Sequence, residues 1–99
     1  MSQREYKVVT ICGSMRYYNL MLEVAQDLTG KGFIVLMPFV SDYIGGKEED
    51  SVKRMLDDMH KRKIDMSSEI VVVGSHRGES TNSEIEYAKQ QRKDITIWL

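Results

Sequence analysis

The sequence predicts an α/β fold in which helices pack on a parallel sheet of about four strands. Short β-branched runs alternate along the chain with longer segments whose apolar residues recur at helical spacing. Polar, glycine-bearing turns follow the strand-like runs and lead into the helical segments, as parallel strands require. The expected architecture is a small Rossmann-like or flavodoxin-like three-layer sandwich, with residues 1–99 forming a single domain.

The first strand and the first helix are predicted in the N-terminal third of the chain. Residues 7–12 (KVVTIC) are β-branched and mostly apolar, and Gly13 closes this strand. A helix over residues 17–29 follows, and Gly30 and Gly32 end it. Its predicted apolar face consists of Tyr18, Met21, Leu22, Ala25 and Leu28.

The middle of the chain predicts a second strand, a long loop and a second helix. Residues 33–37 (FIVLM) are an apolar strand, and Pro38 prevents its extension as a central strand. Residues 40–50 are polar and contain two consecutive glycines, so we expect a flap over the sheet edge. In the helix predicted over residues 49–65, the methionines fall at helical spacing and are expected in the core. The predicted apolar stripe of this helix consists of Val52, Met55, Leu56 and Met59.

The C-terminal third contains the most informative stretch. Residues 70–73 (IVVV) are typical of a strand buried on both faces of a parallel sheet. Residues 74–82 are rich in Gly, Ser, Thr and Asn and predict a loop, with a helix starting near Ser83. Loops at the carboxyl ends of parallel strands line ligand sites in such folds, so this loop is a candidate site. Residues 95–98 predict a short final strand.

Two carboxylates in the first turn of the last predicted helix are expected to point in opposite directions. Glu84 and Glu86 are two residues apart, which is about 200° around a helix. Glu84 shares its side with Ile85 and Ala88 and should look inward across the strand ends, whereas Glu86 should face solvent. Glu84 is therefore a candidate catalytic carboxylate. In the alternative interpretation, Thr81 and Glu84 form a capping box and Glu84 only caps its helix.

The loop after the first strand is a candidate phosphate site. Gly13 permits close backbone approach, Ser14 adds a hydroxyl and Arg16 adds guanidinium donors, which together suit a phosphate monoester. Ser80, close before Glu84, offers a further hydroxyl. The loop is neither a Walker loop nor a GxGxxG fingerprint. The alternative interpretation is a Ser14 helix cap beside a solvated Arg16.

His60 and Cys12 each have a structural and a functional interpretation. His60 follows Leu56 by four residues and borders the apolar stripe, where histidines are commonly half-buried structural residues. Cys12 ends a strand and could reach a ligand, although a small buried residue is the simpler interpretation. The chain has two histidines and one cysteine, scattered along it, and they predict no zinc site.

The composition excludes several functional classes. A net charge of −1 gives no global attraction to nucleic-acid polymers or to an anionic membrane surface. No apolar run approaches the roughly 18 residues of a membrane span, and the segment MSQREYK lacks the apolar core of a signal peptide. A single cysteine fits a reducing compartment, so we expect a cytoplasmic protein. Because so short a chain cannot enclose a nucleotide alone, we also expect a homodimer or a higher homo-oligomer.

These loops give the chain a resemblance to the nucleoside 2-deoxyribosyltransferase superfamily. The chain is most similar to the branch of 2′-deoxynucleoside 5′-phosphate N-hydrolases and their small bacterial and phage relatives. The resemblance rests on CGSMR at residues 12–16 and on EIEYA at residues 84–88. In that branch the first loop reads Cys-Gly-Ser-Ile-Arg and binds the 5′-phosphate. The family's catalytic glutamate has an alanine four places on, as Glu84 has here.

The resemblance implies cleavage of an N-glycosidic bond without a metal or an organic cofactor. Glu84 would be the nucleophile that attacks C1′ of a 2-deoxyribosyl group, giving a covalent glycosyl ester and free base. His60, or else Asp57 or Asp58, would supply the proton to the leaving base. The implied partner is a nucleotide or nucleoside substrate. The residues implied in phosphate binding are Gly13, Ser14, Arg16 and Ser80.

A rival class is a non-catalytic nucleotide-binding or sensing module. In that case the same loops bind a nucleotide and Glu84 only caps its helix. Thr10 stands where the family usually has a tyrosine, which favours this rival. Release of free base from nucleosides or 5′-monophosphates distinguishes the two classes. The identity of the base, and hydrolysis against base transfer, stay open at this point.

Overall fold

The computed structural model of the chain describes residues 5–39 and 50–98. The elements in chain order are β1 (Val8–Gly13), a 3-10 turn (Met15–Tyr17), α1 (Tyr18–Gly30), β2 (Ile34–Leu36), α2 (Asp50–Asp65), β3 (Glu69–Val73), α3 (Glu79–Gln90) and β4 (Asp94–Trp98). The flap expected over residues 40–50 falls outside the described residues, except for its last position, where α2 begins.

The sheet of the described chain contains four parallel strands in the order β2-β1-β3-β4. The central strands β1 and β3 are paired along their length, with Cys12 opposite Val72 and Gly13 opposite Val73. These two strands carry the β-branched runs, which suit a position with helices on both sides. The predicted α/β class is therefore confirmed. Their fully buried β-branched residues include Val9, Ile11, Ile70 and Val72.

The two faces of the sheet pack against different helices, because successive side chains of a strand point to opposite sides. One face packs on α1, in a cluster formed by Val9, Ile11, Met21, Val24, Leu28, Val71 and Val73. The other face packs on α2 and α3, in a cluster formed by Cys12, Ile64, Ile70, Val72, Ile85 and Ala88. The result is the predicted three-layer sandwich, with the sheet between α1 and the α2–α3 pair.

Helix α1 follows its predicted face with one exception. Met21 and Leu28 are buried as expected, but Leu22 is 41% exposed, so its predicted place in the core is wrong. Val24 is buried instead. It lies three residues after Met21 on the same helical stripe, whereas Leu22 is rotated by about 100° from that stripe.

Helix α2 packs through a different stripe from the one predicted. Met55 and Met59 are 52% and 50% exposed, so their predicted place in the core is wrong. The fully buried apolar residue of this helix is Ile64. The hydroxyl of Thr10 in β1 donates a hydrogen bond of 3.0 Å to the carbonyl of Lys63. This bond joins the C-terminal end of α2 to β1.

Helix α3 begins at Glu79, earlier than the predicted start near Ser83. Its N-cap is Gly78, which has no side chain to signal a helix start. The segment predicted as a loop is therefore helical over its last residues. Glu84 lies in the second turn, so its interpretation as a cap is wrong. Burial of Ile85 and Ala88 offsets the weak helix propensity of this Ser- and Asn-containing stretch.

The outer sides of the helices carry charged residues. Lys31 and Asp27 form an ion pair of 3.0 Å at the end of α1, and Arg62 pairs with Asp65 at 3.0 Å in α2. Within residues 5–39 and 50–98, the helices are too short or too polar for any of them to cross a membrane.

Candidate functional site

The carboxyl ends of β1 and β3 lie side by side, where the chain changes direction within the sheet. From β1 the chain first adds β2 on one side, and β3 then pairs with β1 on the other. Such a switch point opens the crevice in which open α/β sheets bind ligands. A cavity of about 470 Å³ lies at this position. The polar and charged side chains in its walls include Lys53, Asp57, His60, Lys63, Ser80 and Glu84.

Gly13, one of the predicted phosphate-binding residues, lines the cavity where β1 ends. Its backbone has φ of +153°, and a Cβ atom there would lie 2.7 Å from the carbonyl oxygen of Val73. A larger residue would therefore push β1 away from β3. The glycine keeps the two strand ends in contact and leaves backbone open toward the cavity.

Tyr17 joins the two loops at this edge of the sheet. Its hydroxyl accepts a hydrogen bond of 3.0 Å from the backbone N–H of His76, in the loop after β3. Its ring lies against Gly74, where any Cβ atom would overlap the ring, and Gly74 has φ of +86°. The loop after β1 and the loop after β3 thus hold each other in place. No local pattern in the sequence indicates this role of Tyr17, because the contact spans two distant segments.

Glu84 and Glu86 of α3 point in opposite directions, as the helix phase predicts. Glu84 is 9% exposed and lines the cavity. Glu86 is exposed and forms an ion pair of 3.6 Å with Lys89 on the outer surface. The helix start was predicted too late, yet the direction was correct, because it depends on the apolar positions Ile85 and Ala88.

Three buried side chains from three different elements meet beside the cavity, and two of them, His60 and Glu84, line it. Sγ of Cys12 in β1 lies 3.5 Å from Nε2 of His60 in α2. Oε1 of Glu84 in α3 lies 3.7 Å from the same nitrogen. The exposed fractions are 0% for Cys12, 5% for His60 and 9% for Glu84. Nδ1 of His60 is buried and has no hydrogen-bond partner among the described residues.

Burial sets the protonation states of this cluster. It raises the pKa of Glu84 from 4.5 to about 7, and the nearby Asp57 carboxylate adds to the increase. It lowers the pKa of His60 from 6.5 to about 4, with a further decrease caused by the Lys63 ammonium. Burial also raises the pKa of the Cys12 thiol well above its usual value. These directions follow from the cost of placing a charge in an apolar environment.

The contact between His60 and Glu84 is consequently not an ion pair. An ion pair would raise the pKa of the imidazole and lower that of the carboxyl group, and both move the other way. At neutral pH His60 is a neutral imidazole, while Glu84 is partly ionised. A carboxyl group that titrates near pH 7 suits both nucleophilic and acid–base chemistry.

The three predicted candidates for proton donor occupy different environments. His60 and Asp57 line the cavity, and the hydroxyl of Ser80 donates a hydrogen bond of 3.5 Å to Oδ1 of Asp57. Asp58 is exposed and lies 3.8 Å from Arg62 on the outer side of α2. The structure therefore brings His60, Asp57 and Ser80 to Glu84 and leaves Asp58 outside the cavity.

The predicted phosphate loop is divided between the cavity and its surroundings. Gly13 lines the cavity, but Ser14 and Arg16 do not. The Ser14 hydroxyl accepts a hydrogen bond of 3.4 Å from the backbone N–H of Arg16, which caps the 3-10 turn, and the Arg16 side chain is exposed. This arrangement corresponds to the structural interpretation of the loop given above.

Two lysines that the sequence analysis passed over bring positive charge to the cavity. Lys53 lies in its wall, and Nζ of Lys63 donates a hydrogen bond of 2.7 Å to the carbonyl oxygen of Met37. Both belong to α2. Whether a lysine faces the cavity depends on its angular position around the helix. That position could not be read from the sequence, because the apolar stripe was assigned to the wrong residues of α2.

Thr10, at the position of the family's tyrosine, lies beneath the cavity and not in its wall. It is fully buried, and its hydroxyl lies 2.5 Å from the Ser67 hydroxyl. Together with the bond to the Lys63 carbonyl, this contact gives Thr10 a structural role between β1 and α2.

Comparison with known proteins adds no further information on the site. No family model matches the chain, and no curated protein matches it. The similarity to nucleoside 2-deoxyribosyltransferases therefore stays a prediction from residues 12–16 and 84–88.

Proposed function

We propose that the protein cleaves the N-glycosidic bond of a 2′-deoxynucleoside 5′-monophosphate, or of the corresponding nucleoside, and releases the free base. The observation that carries this proposal is the position of Glu84. Its carboxyl group is 9% exposed, lies in the wall of a cavity of about 470 Å³, and has a pKa raised to about 7. A retaining glycosidase mechanism needs a carboxylate nucleophile that faces the substrate, and Glu84 is the candidate for that role.

The proposed reaction has two steps. In the first, an oxygen of ionised Glu84 attacks C1′ and the C1′–N bond breaks, with its electron pair leaving on the base. The base takes up a proton, and a glycosyl ester links C1′ to Glu84. In the second step, a water molecule or a second base attacks C1′ and frees the carboxylate. The absence of a 2′-hydroxyl favours the first step, because no electron-withdrawing oxygen lies next to the developing cation.

Among the candidate proton donors, the residues that line the cavity are favoured. Asp57 lines it and accepts the hydrogen bond from Ser80, so its carboxyl group is held close to a bound base or sugar. His60 is uncharged at neutral pH and contacts Glu84 directly. We therefore propose that His60 positions the nucleophile, and that Asp57 transfers a proton from water to the leaving base.

The phosphate is proposed to bind near Gly13 and Ser80, which line the cavity from β1 and α3. Lys53 and Lys63 add positive charge to the same space. Arg16 follows Met15, a residue of the cavity wall, and its exposed side chain is proposed to reach a phosphate at the entrance.

We also propose that the active species is a homodimer or a higher homo-oligomer. Met15, Phe39, Met55 and Met59 line the cavity yet are all more than one-third exposed, and exposed apolar surface of this kind is common at interfaces. Sedimentation velocity at micromolar concentration tests the proposal. A monomer that retains full activity would contradict it.

The experiment that tests the function is incubation with 2′-deoxynucleosides and their 5′-monophosphates, followed by chromatography for free base. Brief incubation and mass spectrometry of the intact protein should also show an adduct with the mass of the deoxyribosyl moiety. The second candidate function is a nucleotide-binding module without catalysis, which the structural role of Thr10 favours. Saturable binding of a monophosphate with neither free base nor adduct would support that second candidate.

A further inference from the structure

Cys12, His60 and Glu84 together resemble a set of metal ligands. Their three potential ligand atoms (Sγ, a ring nitrogen and a carboxylate oxygen) all lie within 4.8 Å of one another, and all three residues are buried. The separations are 3.5 Å from Cys12 Sγ to His60 Nε2 and 3.7 Å from that nitrogen to Oε1 of Glu84. Around tetrahedral zinc, with bonds of about 2.0–2.3 Å, neighbouring ligand atoms lie about 3.3–3.6 Å apart.

The orientation of the imidazole argues against the other chemistry that these residue types suggest. In a cysteine–histidine–carboxylate triad, the thiol and the carboxylate contact opposite nitrogens of the ring, so that the carboxylate orients the base. Here both contact Nε2, and Nδ1 has no hydrogen-bond partner in the described part of the chain. The three groups thus converge on one point, which suits a bound ion better than a proton relay.

We propose that Cys12, His60 and Glu84 bind a divalent transition-metal ion of the zinc class. A thiolate and an imidazole favour Zn²⁺ or Co²⁺ over Mg²⁺ or Ca²⁺, which prefer oxygen ligands. On binding, the Cys12 thiol releases its proton to solvent and forms a sulfur–metal bond, and Glu84 loses its proton where it carries one. Because His60 and Glu84 line the cavity, its interior would supply the fourth ligand, a water molecule.

Metal binding would regulate the activity proposed above, and this consequence rests on that proposed function. A carboxylate oxygen bound to the metal is no longer available to attack C1′. Zinc is therefore an inhibitor of base release in this proposal and not a cofactor, and removal of the metal by a chelator restores activity. Binding itself does not depend on whether the protein is an enzyme.

The test is a titration of the whole chain, reduced and freed of metal, with Co²⁺. We expect one equivalent to bind and to produce the near-ultraviolet charge-transfer band of a cobalt–thiolate bond, which Zn²⁺ then abolishes by displacement. Cys12→Ser should lose the band and weaken zinc binding at least tenfold in competition with a chelator. Glu86→Gln, a matched change on the solvent side of α3, should bind like the parent. Mg²⁺ should not compete.

Two results would overturn the proposal: no charge-transfer band in the folded parent, or equal zinc affinity in parent and Cys12→Ser. If circular dichroism shows that Cys12→Ser is unfolded, His60→Gln takes its place, and undiminished zinc affinity there has the same meaning. A protein that binds cobalt as described but releases no base when free of metal would refute the proposed function alone. Inhibition by zinc without a band would refute this site and leave the function in place.

Discussion

The two faces of the sheet bury different kinds of side chain. The cluster against α1 is wholly apolar, with Ile11 and Met21 fully buried in it. The opposite face packs on α2 and α3. The buried polar residues of the described chain lie in β1, in α2 and the turn that follows it, and in α3; they are Thr10, His60, Ser67, Thr81 and Glu84.

This difference indicates that the apolar face mainly stabilises the fold, whereas the polar face carries the candidate site. Burying an apolar side chain contributes about 1.5–3 kcal/mol, whereas burying a polar group is unfavourable unless it is hydrogen-bonded. Thr10 and Ser67 both donate hydrogen bonds to the carbonyl of Lys63. Nδ1 of His60 has no hydrogen-bond partner among the described residues, and the pKa of Glu84 is raised because its charged form is poorly solvated. Such compromises are expected at functional sites, where stability is given up for reactivity.

The largest expected effect concerns Glu84 and Glu86 of α3. Glu84→Gln keeps shape and hydrogen-bonding capacity but cannot form a glycosyl ester, so base release should fall by about a thousandfold or more. Glu86→Gln is the matched control, because Glu86 contacts only Lys89 on the outer surface among the pairs described here. Initial rates of base release measure both. Turnover of Glu84→Gln at the rate of the parent would refute the assignment of the nucleophile.

The sequence sufficed for those parts of the fold that depend on local patterns. The β-branched runs of β1 and β3 predict the centre of the sheet, and the positions of Ile85 and Ala88 predict that Glu84 points inward. The start of α3 was missed because its cap is Gly78, which offers no side-chain signal. The Met55–Met59 stripe was placed in the core because spacing alone does not tell an apolar helix face from an apolar cavity wall.

The site itself could be predicted only in part. Glu84, His60, Gly13 and Ser80 were selected from the sequence, and all of them line the cavity. The contact of Cys12 with His60 joins residues 48 positions apart and could not be read from spacing. It results from the alternation of side chains along β1, which directs Cys12 toward α2.

The next effect tests the apolar face. Met21→Ala removes a fully buried side chain of α1 and should reduce the free energy of unfolding by about 2–5 kcal/mol. Catalysis should change little in the protein that remains folded, because α1 contributes no residue to the cavity. Denaturant melts and rates per folded molecule measure the two quantities. Leu22→Ala, at an exposed position on the same helix, is the control. A specific loss of turnover in Met21→Ala would show that the faces are not separate in function.

A third test uses the pH dependence of stability, in chelator to exclude metal. The pKa of Glu84 is raised from 4.5 to about 7 in the folded protein. The protonated carboxyl group therefore adds to the free energy of unfolding, fully below pH 4.5, and this addition is lost as the pH rises through about 7. Glutamine does not titrate. The free energy of unfolding of Glu84→Gln, relative to that of the parent, should therefore be about 3 kcal/mol higher at pH 8 than at pH 4. Urea melts at both values provide the measurement. A difference that is independent of pH would mean that the Glu84 carboxyl group is well solvated.

The smallest expected effect concerns the loop that leads from β1 to α1, which connects the polar side of the sheet with the apolar side. Arg16 lies in this loop with an exposed side chain, outside the cavity wall, whereas Lys53 lies in the wall. If Arg16 binds the 5′-phosphate through charge-assisted hydrogen bonds, each worth about 1.5–3 kcal/mol, Arg16→Ala should reduce kcat/KM for the monophosphate roughly ten- to a hundredfold.

The same variant should leave kcat/KM for the matching nucleoside nearly unchanged, because that substrate has no phosphate to lose. Arg77→Ala removes an exposed arginine from the loop after β3 and controls for a general loss of positive charge at this edge of the sheet. An equal loss for both substrates would mean that Arg16 supports the fold or the sugar. If kcat/KM for the monophosphate fell in Lys53→Ala and not in Arg16→Ala, the phosphate would bind at the wall of the cavity. The loop after β1 would then have only a structural role, through the Ser14 cap.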